Sequence, residues 1–276
     1  MSKHQLLSTS EAESYRPHPE ILRYIARGDD VDRNALQGLR VLDWGCGRGR
    51  LVAFLLQRGM EAYGVDVDPE TVSNGKAYFA TIDKDADQHL GLIDSSGRTS
   101  FPDGFFDVIV SDNVLEHVPD LNGVMQEIAR ITKPGGYRFH LFPARFTLFE
   151  GHLLMPVIHW LPKNFMRKAA IRIFTQLGIE PRWPELGNKT RSEKAAAYFD
   201  YSCAKTFYRA PGKILNCCFQ KGFAAQLVAI DHPRMTKFAK LLGRGRNPVR
   251  RFANRSVSEL KTMELFIEKS MNKLDA

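Results

Sequence analysis

The sequence predicts an α/β doubly wound fold, a mostly parallel seven-stranded sheet covered by helices on both faces. Three observations carry this prediction. Between residues 39 and 142, short apolar runs alternate with helical stretches, the rhythm of a parallel sheet buried on both sides. A glycine-rich turn, WGCGRGR, separates the first apolar run from the first helical one, where doubly wound folds open their ligand crevice. The rhythm stops after Pro143 and resumes near residue 197, which reads as an insertion into one domain.

Taken in order, residues 1–38 form an N-terminal helical lead, with a helix in PEILRYIARG opened by Pro19 and stopped at Gly28. LRVLDW (39–44) is a strand by its apolar and β-branched density, followed by a helix over RLVAFLLQRG (50–59). EAYGVDV (61–67) and PETVSNGKAYFA (69–80) repeat the strand and helix, and HLGLI (89–93) is a third strand. FFDVIVSD (105–112) is the fourth, and Asp120 caps a helix over DLNGVMQEIARI (120–131). KPGG turns the chain into the fifth strand, YRFHLF (137–142). Residues 143–196 are a helical, irregular insertion. AYFDYS (197–202) is expected as a strand, GKILNCCFQKG (212–222) as a helix and FAAQLVAI (223–230) as the last strand. Residues 39–142 plus 197–231 thus make one domain. Residues 232–276 are a basic, helical tail ending in the amphipathic stretch SELKTMELFIEKSMNKL.

The 276 residues are 43% hydrophobic and 25% charged, the balance of a soluble globular protein that buries its core without staples. Four cysteines without a CxxC pair supply neither a disulfide framework nor a zinc site. MSKHQLLSTSEAESY contains no apolar signal core, and no run approaches the ~18 apolar residues of a spanning helix. A cytoplasmic protein is expected. The net charge of +8 is local: eight basic residues and no acidic one lie between Arg234 and Arg255, and the remaining 31 basic residues balance 31 acidic ones.

The chemistry concentrates in VLDWGCGRGR (41–50). A dinucleotide loop needs G-x-G-x-x-G, so that a pyrophosphate can sit on the helix N-terminus. Here the spacing is G-x-G-x-G, with Arg50 where a further glycine would be required and Asp43 two residues before Gly45. A carboxylate there repels a pyrophosphate and favours a cationic amine. That suits S-adenosylmethionine, which carries an ammonium and a sulfonium but no phosphate. Asp66 ends the second strand, 21 residues after Gly45 and 23 after Asp43; about 20 residues past the glycine loop an acidic side chain accepts hydrogen bonds from ribose hydroxyls.

DWGCGRGR, GVDVDP, FPDGFFDVIVSDNVLEHV and ITKPGG, in that order, resemble class I S-adenosylmethionine-dependent methyltransferases, within the small-molecule group that methylates quinones and lipids at carbon or oxygen. The resemblance covers residues 39–142 well and 197–230 loosely. It implies a Rossmann-like methyltransferase fold and S-adenosyl-L-methionine as cofactor. Asp43, with the main chain of Gly45 and Gly47, would hold the methionine amino end. Asp66 would hold the ribose, and Val67 would pack beside the adenine. Asn113 and Val114 would line the sulfonium side, and Asp94 falls near the adenine-contacting acidic position, although DSSGRTSFPDG is spaced differently from the short linker expected there.

The insertion at 143–196 would then shape the acceptor pocket. Methyl transfer from a sulfonium is a direct displacement, and alignment supplies up to ~7–11 kcal/mol of it. A hydroxyl acceptor must also lose its proton, for which a general base contributes roughly 10²–10⁴-fold. His117 in LEHVPD and His152 in FEGHLLMPVIHW are the candidate bases, beside readings in which Glu116 and His117 merely organise a loop. His159 and Glu150 belong to the same stretch. The spacing of His152 and His159 does not put both on one helical face, and no metal site is expected.

The acceptor is expected to be a small molecule, a lipid or a glycan precursor. SDNVLEHV stands where base-nitrogen and glutamine-amide methylating enzymes carry a Pro-Pro-Tyr motif, and no Pro-Cys pair supports a cytosine-C5 nucleophile. The basic segment 234–255 leaves three readings open: a solvated face, peripheral contact with an anionic membrane, or RNA methylation through phosphate contacts. Only Phe238 and Phe252 interleave its charges, which is thin for base stacking. A non-catalytic S-adenosylmethionine-binding protein of the same fold is the rival from another class.

Overall fold

The computed structural model describes residues 7–26, 36–82, 85–143, 145–221, 223–230 and 262–269. Its centre is a seven-stranded sheet built from β1 (Arg40–Trp44), β2 (Glu61–Asp66), β3 (Leu90–Leu92), β4 (Phe106–Asp112), β5 (Thr132–Phe142), β6 (Phe223–Ile230) and β7 (Thr262–Lys269). The strand order is β3-β2-β1-β4-β5-β7-β6. β1 to β5 pair in parallel, and β7 runs antiparallel to both β5 and β6. Strand order reverses between β1 and β4, so their carboxyl ends open the crevice in which such folds bind ligands.

Period-two alternation of buried apolar side chains splits the core between the two faces. Val41, Ala62, Val108, Val110 and Phe139 share one cluster with helices α1 (Thr9–Ser14), α2 (Pro19–Ile25), α3 (Arg50–Leu56) and α4 (Pro69–Thr81). Leu42, Trp44, Val65 and Ile109 pack on the other face against Ile128 and Ile131. After α5 (Ala86–His89), those two residues lie on α6 (Leu121–Ile131), whose first turn Asp120 caps through the amides of Asn122 and Gly123. The helical lead is tied across the sheet: Tyr24 stacks on Phe139 at 4.2 Å between centroids, and the Tyr137 hydroxyl donates to the Ile25 carbonyl at 2.6 Å. Gly28, the expected stop of that helix, lies outside the described residues.

Two element expectations need correction. AYFDYS is not a strand: it lies within helix α8 (Arg191–Ala204), which follows α7 (Phe165–Gln176). Its aromatic residues have high strand propensity, but Thr190 and Glu193 form a reciprocal capping box that starts a helix upstream. Ala195, Tyr198 and Ser202 then fall on one buried face. Ala195 and Tyr198 pack with Leu153, Met155, Ile158 and Ile171 in a core of the insertion's own. The insertion therefore runs to Ala204 rather than ending at residue 196. Helix α9 (Pro211–Phe219) returns the chain to the sheet.

The second correction is at the C-terminus. TMELFIEK is strand β7, inserted between β5 and β6, rather than part of an amphipathic helix. Met263, Leu265 and Ile267 alternate with Glu264, Phe266 and Glu268, so the period-two pattern was available. Pairing on both edges overrides the helical propensity of Glu, Leu and Lys. The seventh strand is thus supplied by what was expected to be tail. The basic segment 234–255 lies outside the described residues. Among those described, no helix is long and apolar enough to cross a membrane.

Candidate active site

Two groups of side chains meet at the carboxyl edge of the sheet. The first surrounds the glycine loop. Asp43, near the end of β1, is 6% exposed. Burial, then the neighbouring charges of Asp112 and Asp66, push its carboxyl up to about 8. Asp112, at the end of β4, is raised as well, chiefly by burial. Three carboxyl groups around one loop make a field suited to a cation.

Gly45 and Gly47 adopt φ of +80° and +55°, the left-handed region that glycine enters without a Cβ penalty. A Cβ on Gly45 would come 2.4 Å from the Val114 side chain, so Val114 closes directly over the loop. The Gly47 amide donates to Asp66 Oδ2 at 2.8 Å, and the Asp68 amide donates to Oδ1 at 3.1 Å. These bonds hold the Asp66 carboxylate at the end of β2 with lone pairs left for further donors. Val67, next to it, is 70% exposed, an apolar side chain held in the open. Asn113 has φ of +55°, and its amide donates to the Leu141 carbonyl at 2.8 Å, which fixes the turn leading into Val114.

Asp94 is placed differently from these residues. It is exposed just past β3 and accepts from the Ser96 and Arg98 amides at 2.8 and 2.9 Å, so its carboxylate organises the local turn. The Ser96 hydroxyl, donating at 2.6 Å, and then those amides hold it below the usual carboxylate range.

The second group joins the turn after β4 to the insertion. His117 Nε2 and His152 Nε2 stand 3.1 Å apart, although 35 residues separate them in sequence. His117 Nδ1 lies 2.6 Å from the Lys205 carbonyl, and His152 Nδ1 lies 2.9 Å from Glu150 Oε1. A carbonyl and a carboxylate only accept, so both Nδ1 atoms carry hydrogen. Both Nε2 lone pairs then face each other, and the space between them is a seat for one cation or proton. Burial depresses His152, but the Glu150 carboxylate outweighs it and raises the ring above the usual imidazole range. Glu150 is itself buried. Burial pulls its carboxyl upward, and donors from His152, Tyr208 and Leu153 outweigh that and hold it low.

Glu116 is 2% exposed, and among the described residues neither of its oxygens accepts a hydrogen bond. Burial pushes its carboxyl up to about 8. One oxygen lies 3.9 Å from His117 Nε2. Ligating atoms of Glu116, His117 and His152 all fall within 4.8 Å of one another, a set able to hold a metal ion. His159 does not join them. It is 3% exposed, contacts Thr147 Oγ1 at 3.3 Å, and is lowered to about 4, first by burial; it is a core residue of the insertion.

Four residues that frame these groups were not singled out from sequence. Arg209 donates to the carbonyls of Leu115, Val118 and Pro119 and so clamps the turn carrying Glu116 and His117. Tyr208 donates to Glu150 Oε1 at 2.5 Å. Tyr15 from the lead is half-buried near Asp43 and Asp112, whose charges add to burial in raising its hydroxyl pKa. Glu11, on the same lead, pairs with Arg48 at 3.1 Å. Tyr15, Tyr208 and Arg209 lie in irregular stretches with no period or motif to mark them, whereas Glu11 sits in α1 as a member of a capping box with Ser8.

The family described as a methyltransferase domain matches residues 42–139. An uncharacterized methyltransferase of Mycobacterium sp. (strain JLS) is 37% identical over 147 residues, covering 52% of this chain and 53% of its own length. A ubiquinone biosynthesis O-methyltransferase of Marinobacter nauticus is 33% identical over 108 residues, covering 39% of this chain and 45% of its own. The chain thus spans about half the length of the curated relatives it matches. An S-adenosylmethionine dependent methyltransferase from Mesorhizobium loti superimposes with a TM-score of 0.50 at 17% identity, covering 86% of this chain and 95% of that one, a likeness of fold. The matched span runs from β1 to β5 and contains the glycine loop, Asp43 and Asp66. With the reversal of strand order at β1 and β4 behind them, residues 42–139 form a methyltransferase domain, and the fold is similar to that of S-adenosylmethionine-dependent methyltransferases.

Proposed function

We propose that the chain transfers a methyl group from S-adenosyl-L-methionine to a small-molecule acceptor, with a hydroxyl as the receiving group. The observation that carries this reading is the buried Asp43 beside a left-handed glycine loop, with Asp66 fixed by the Gly47 amide. Asp43 and the main chain of Gly45 and Gly47 bind the methionine end, Asp66 the ribose, and Val67 covers the adenine. Asn113 and Val114 border the sulfonium. Asp94 takes part only by shaping the turn beyond β3.

His117 and His152 act on the acceptor. As the acceptor oxygen attacks the methyl carbon, the carbon–sulfur pair stays with sulfur and the hydroxyl proton moves to the seat between the two Nε2 atoms. Lys205 and Glu150 hold the rings for that task from their far sides. A quinol or other phenol fits this chemistry. The ubiquinone-pathway name of one relative supports it, and a lipid or glycan-precursor hydroxyl uses the same apparatus.

Calorimetry tests the reading. One S-adenosylhomocysteine should bind per chain, and Asp66→Ala should weaken it by about 1.5–3 kcal/mol, the range for charge-assisted hydrogen bonds. Binding of NADH with no binding of S-adenosylhomocysteine overturns it.

A further inference from the structure

The hydrogen bonds around His117 and His152 are those of metal ligands seen from behind. A histidine that binds a metal through one ring nitrogen donates the other N–H to a carboxylate or a main-chain carbonyl, which fixes its tautomer and raises its basicity. Both rings have that arrangement, one against the Lys205 carbonyl and one against Glu150. Their Nε2 atoms are 3.1 Å apart, close to the ~3.3 Å that separates two nitrogens bound at about 2.0–2.1 Å in a tetrahedral zinc site. A separate observation points to the same spot. Glu116 is buried with neither oxygen hydrogen-bonded among the described residues, and one oxygen lies 3.9 Å from His117 Nε2. A buried carboxylate without a donor is costly unless a cation meets it.

We propose that Glu116, His117 and His152 bind one divalent transition-metal ion, leaving a coordination position for the acceptor oxygen. Two imidazoles and one carboxylate suit zinc, cobalt, iron or manganese rather than calcium or magnesium. Two neutral rings and one carboxylate leave the loaded site with one positive charge, which Glu150 behind His152 balances. Three protein ligands with an open position is the pattern of catalytic rather than structural sites. The ion occupies the seat otherwise taken by the proton: the metal-free pair receives the hydroxyl proton itself, whereas the ion polarises the oxygen as a Lewis acid and the proton leaves to water. The acceptor's place on the ion rests on the methyl-transfer reading; binding of the ion does not.

The test uses the full chain, stripped with a chelator, dialysed, and titrated with Co²⁺ by visible absorption and with Zn²⁺ by competition. One ion per chain is expected. His117→Ala and His152→Ala should each weaken it at least ~10-fold, and Glu116→Gln should do the same without changing shape. Glu150→Gln, which changes the acceptor behind His152 Nδ1 without removing a ligand, should cost roughly 10–100-fold. Tyr201→Phe, beside the His152 ring but supplying no ligand, should leave binding unchanged. Thermal unfolding of each variant identifies any that fails to fold. No binding, or binding that survives in the folded His117→Ala/His152→Ala double variant, overturns the proposal. S-adenosylhomocysteine is titrated into the same samples. Loss of ion binding with that ligand still bound sinks the metal site alone, and ion binding without that ligand sinks the methyl-transfer reading alone.

Discussion

Binding of S-adenosylhomocysteine at a pH near 6.5 should expel about 0.7 of a proton from the protein. The perturbation is the ligand's ammonium arriving beside Asp43. In the free protein, burial and the neighbouring Asp112 and Asp66 hold that carboxyl up to about 8, so at a pH near 6.5 roughly nineteen chains in twenty carry the proton. The ammonium favours the ionised form. Bringing the carboxyl down by two units takes about 2.7 kcal/mol of differential interaction, within reach of a desolvated charge pair with hydrogen bonds. The sign follows directly. A raised acid binds its proton below about 8, so affinity should climb about tenfold per pH unit between roughly 6 and 8. Above that, Asp43 is already ionised, so affinity should level. Calorimetry at one pH in phosphate and in Tris gives the proton count from the difference in apparent heat. Asp43→Asn should release none and should bind about 1.5–3 kcal/mol more weakly. A wild-type count near zero, or an equal count in the Asn variant, refutes the reasoning.

Gly45→Ala should remove cofactor binding and destabilise the chain by about 2–5 kcal/mol, combining left-handed strain of ~1–2 kcal/mol with overpacking of ~1–3 kcal/mol against Val114, as read from urea unfolding. With a hydroxyl acceptor, His117→Ala or His152→Ala should lower turnover by at least ~10²-fold while affinity for S-adenosylhomocysteine stays near that of wild type; loss below tenfold in both removes the acceptor role of the pair. Arg209→Ala leaves the carbonyls of Leu115, Val118 and Pro119 without their donor. It should raise KM for the acceptor more than it changes cofactor affinity, a split that steady-state kinetics measures.

The half of the molecule that carries the glycine loop was readable because local and global signals agree there. Apolar runs of five to seven residues carry β1, β2 and β4, the glycines mark the loop by position, and Asp43 and Asp66 fall where strands end. The insertion and the C-terminus read less well because their structure is decided at long range. AYFDYS has the composition of a strand, but its conformation follows from a capping box starting seven residues upstream. TMELFIEK has a weak period of two, yet it is a strand because β5 and β6 both lack an edge partner without it. His117 and His152 were separate candidates in sequence. Their meeting depends on the path of the insertion, and so do the supports that Glu150 and Lys205 give them. Asp94 is a mixed case: the acidic position past β3 is legible, but the longer DSSGRTSFPDG stretch folds into a turn that engages its Oδ1.

The most direct test of methyl transfer is to follow the methyl group itself. The full chain, with S-adenosylmethionine labelled on its methyl, is incubated with cell extract separated into small-molecule, lipid, glycan, RNA and protein fractions. Label should move into the small-molecule or lipid fraction, with an equal amount of S-adenosylhomocysteine formed. Transfer should fall at least ~10²-fold in the His117→Ala/His152→Ala double variant. Label that stays on the cofactor in every fraction, or that enters RNA alone, contradicts the account.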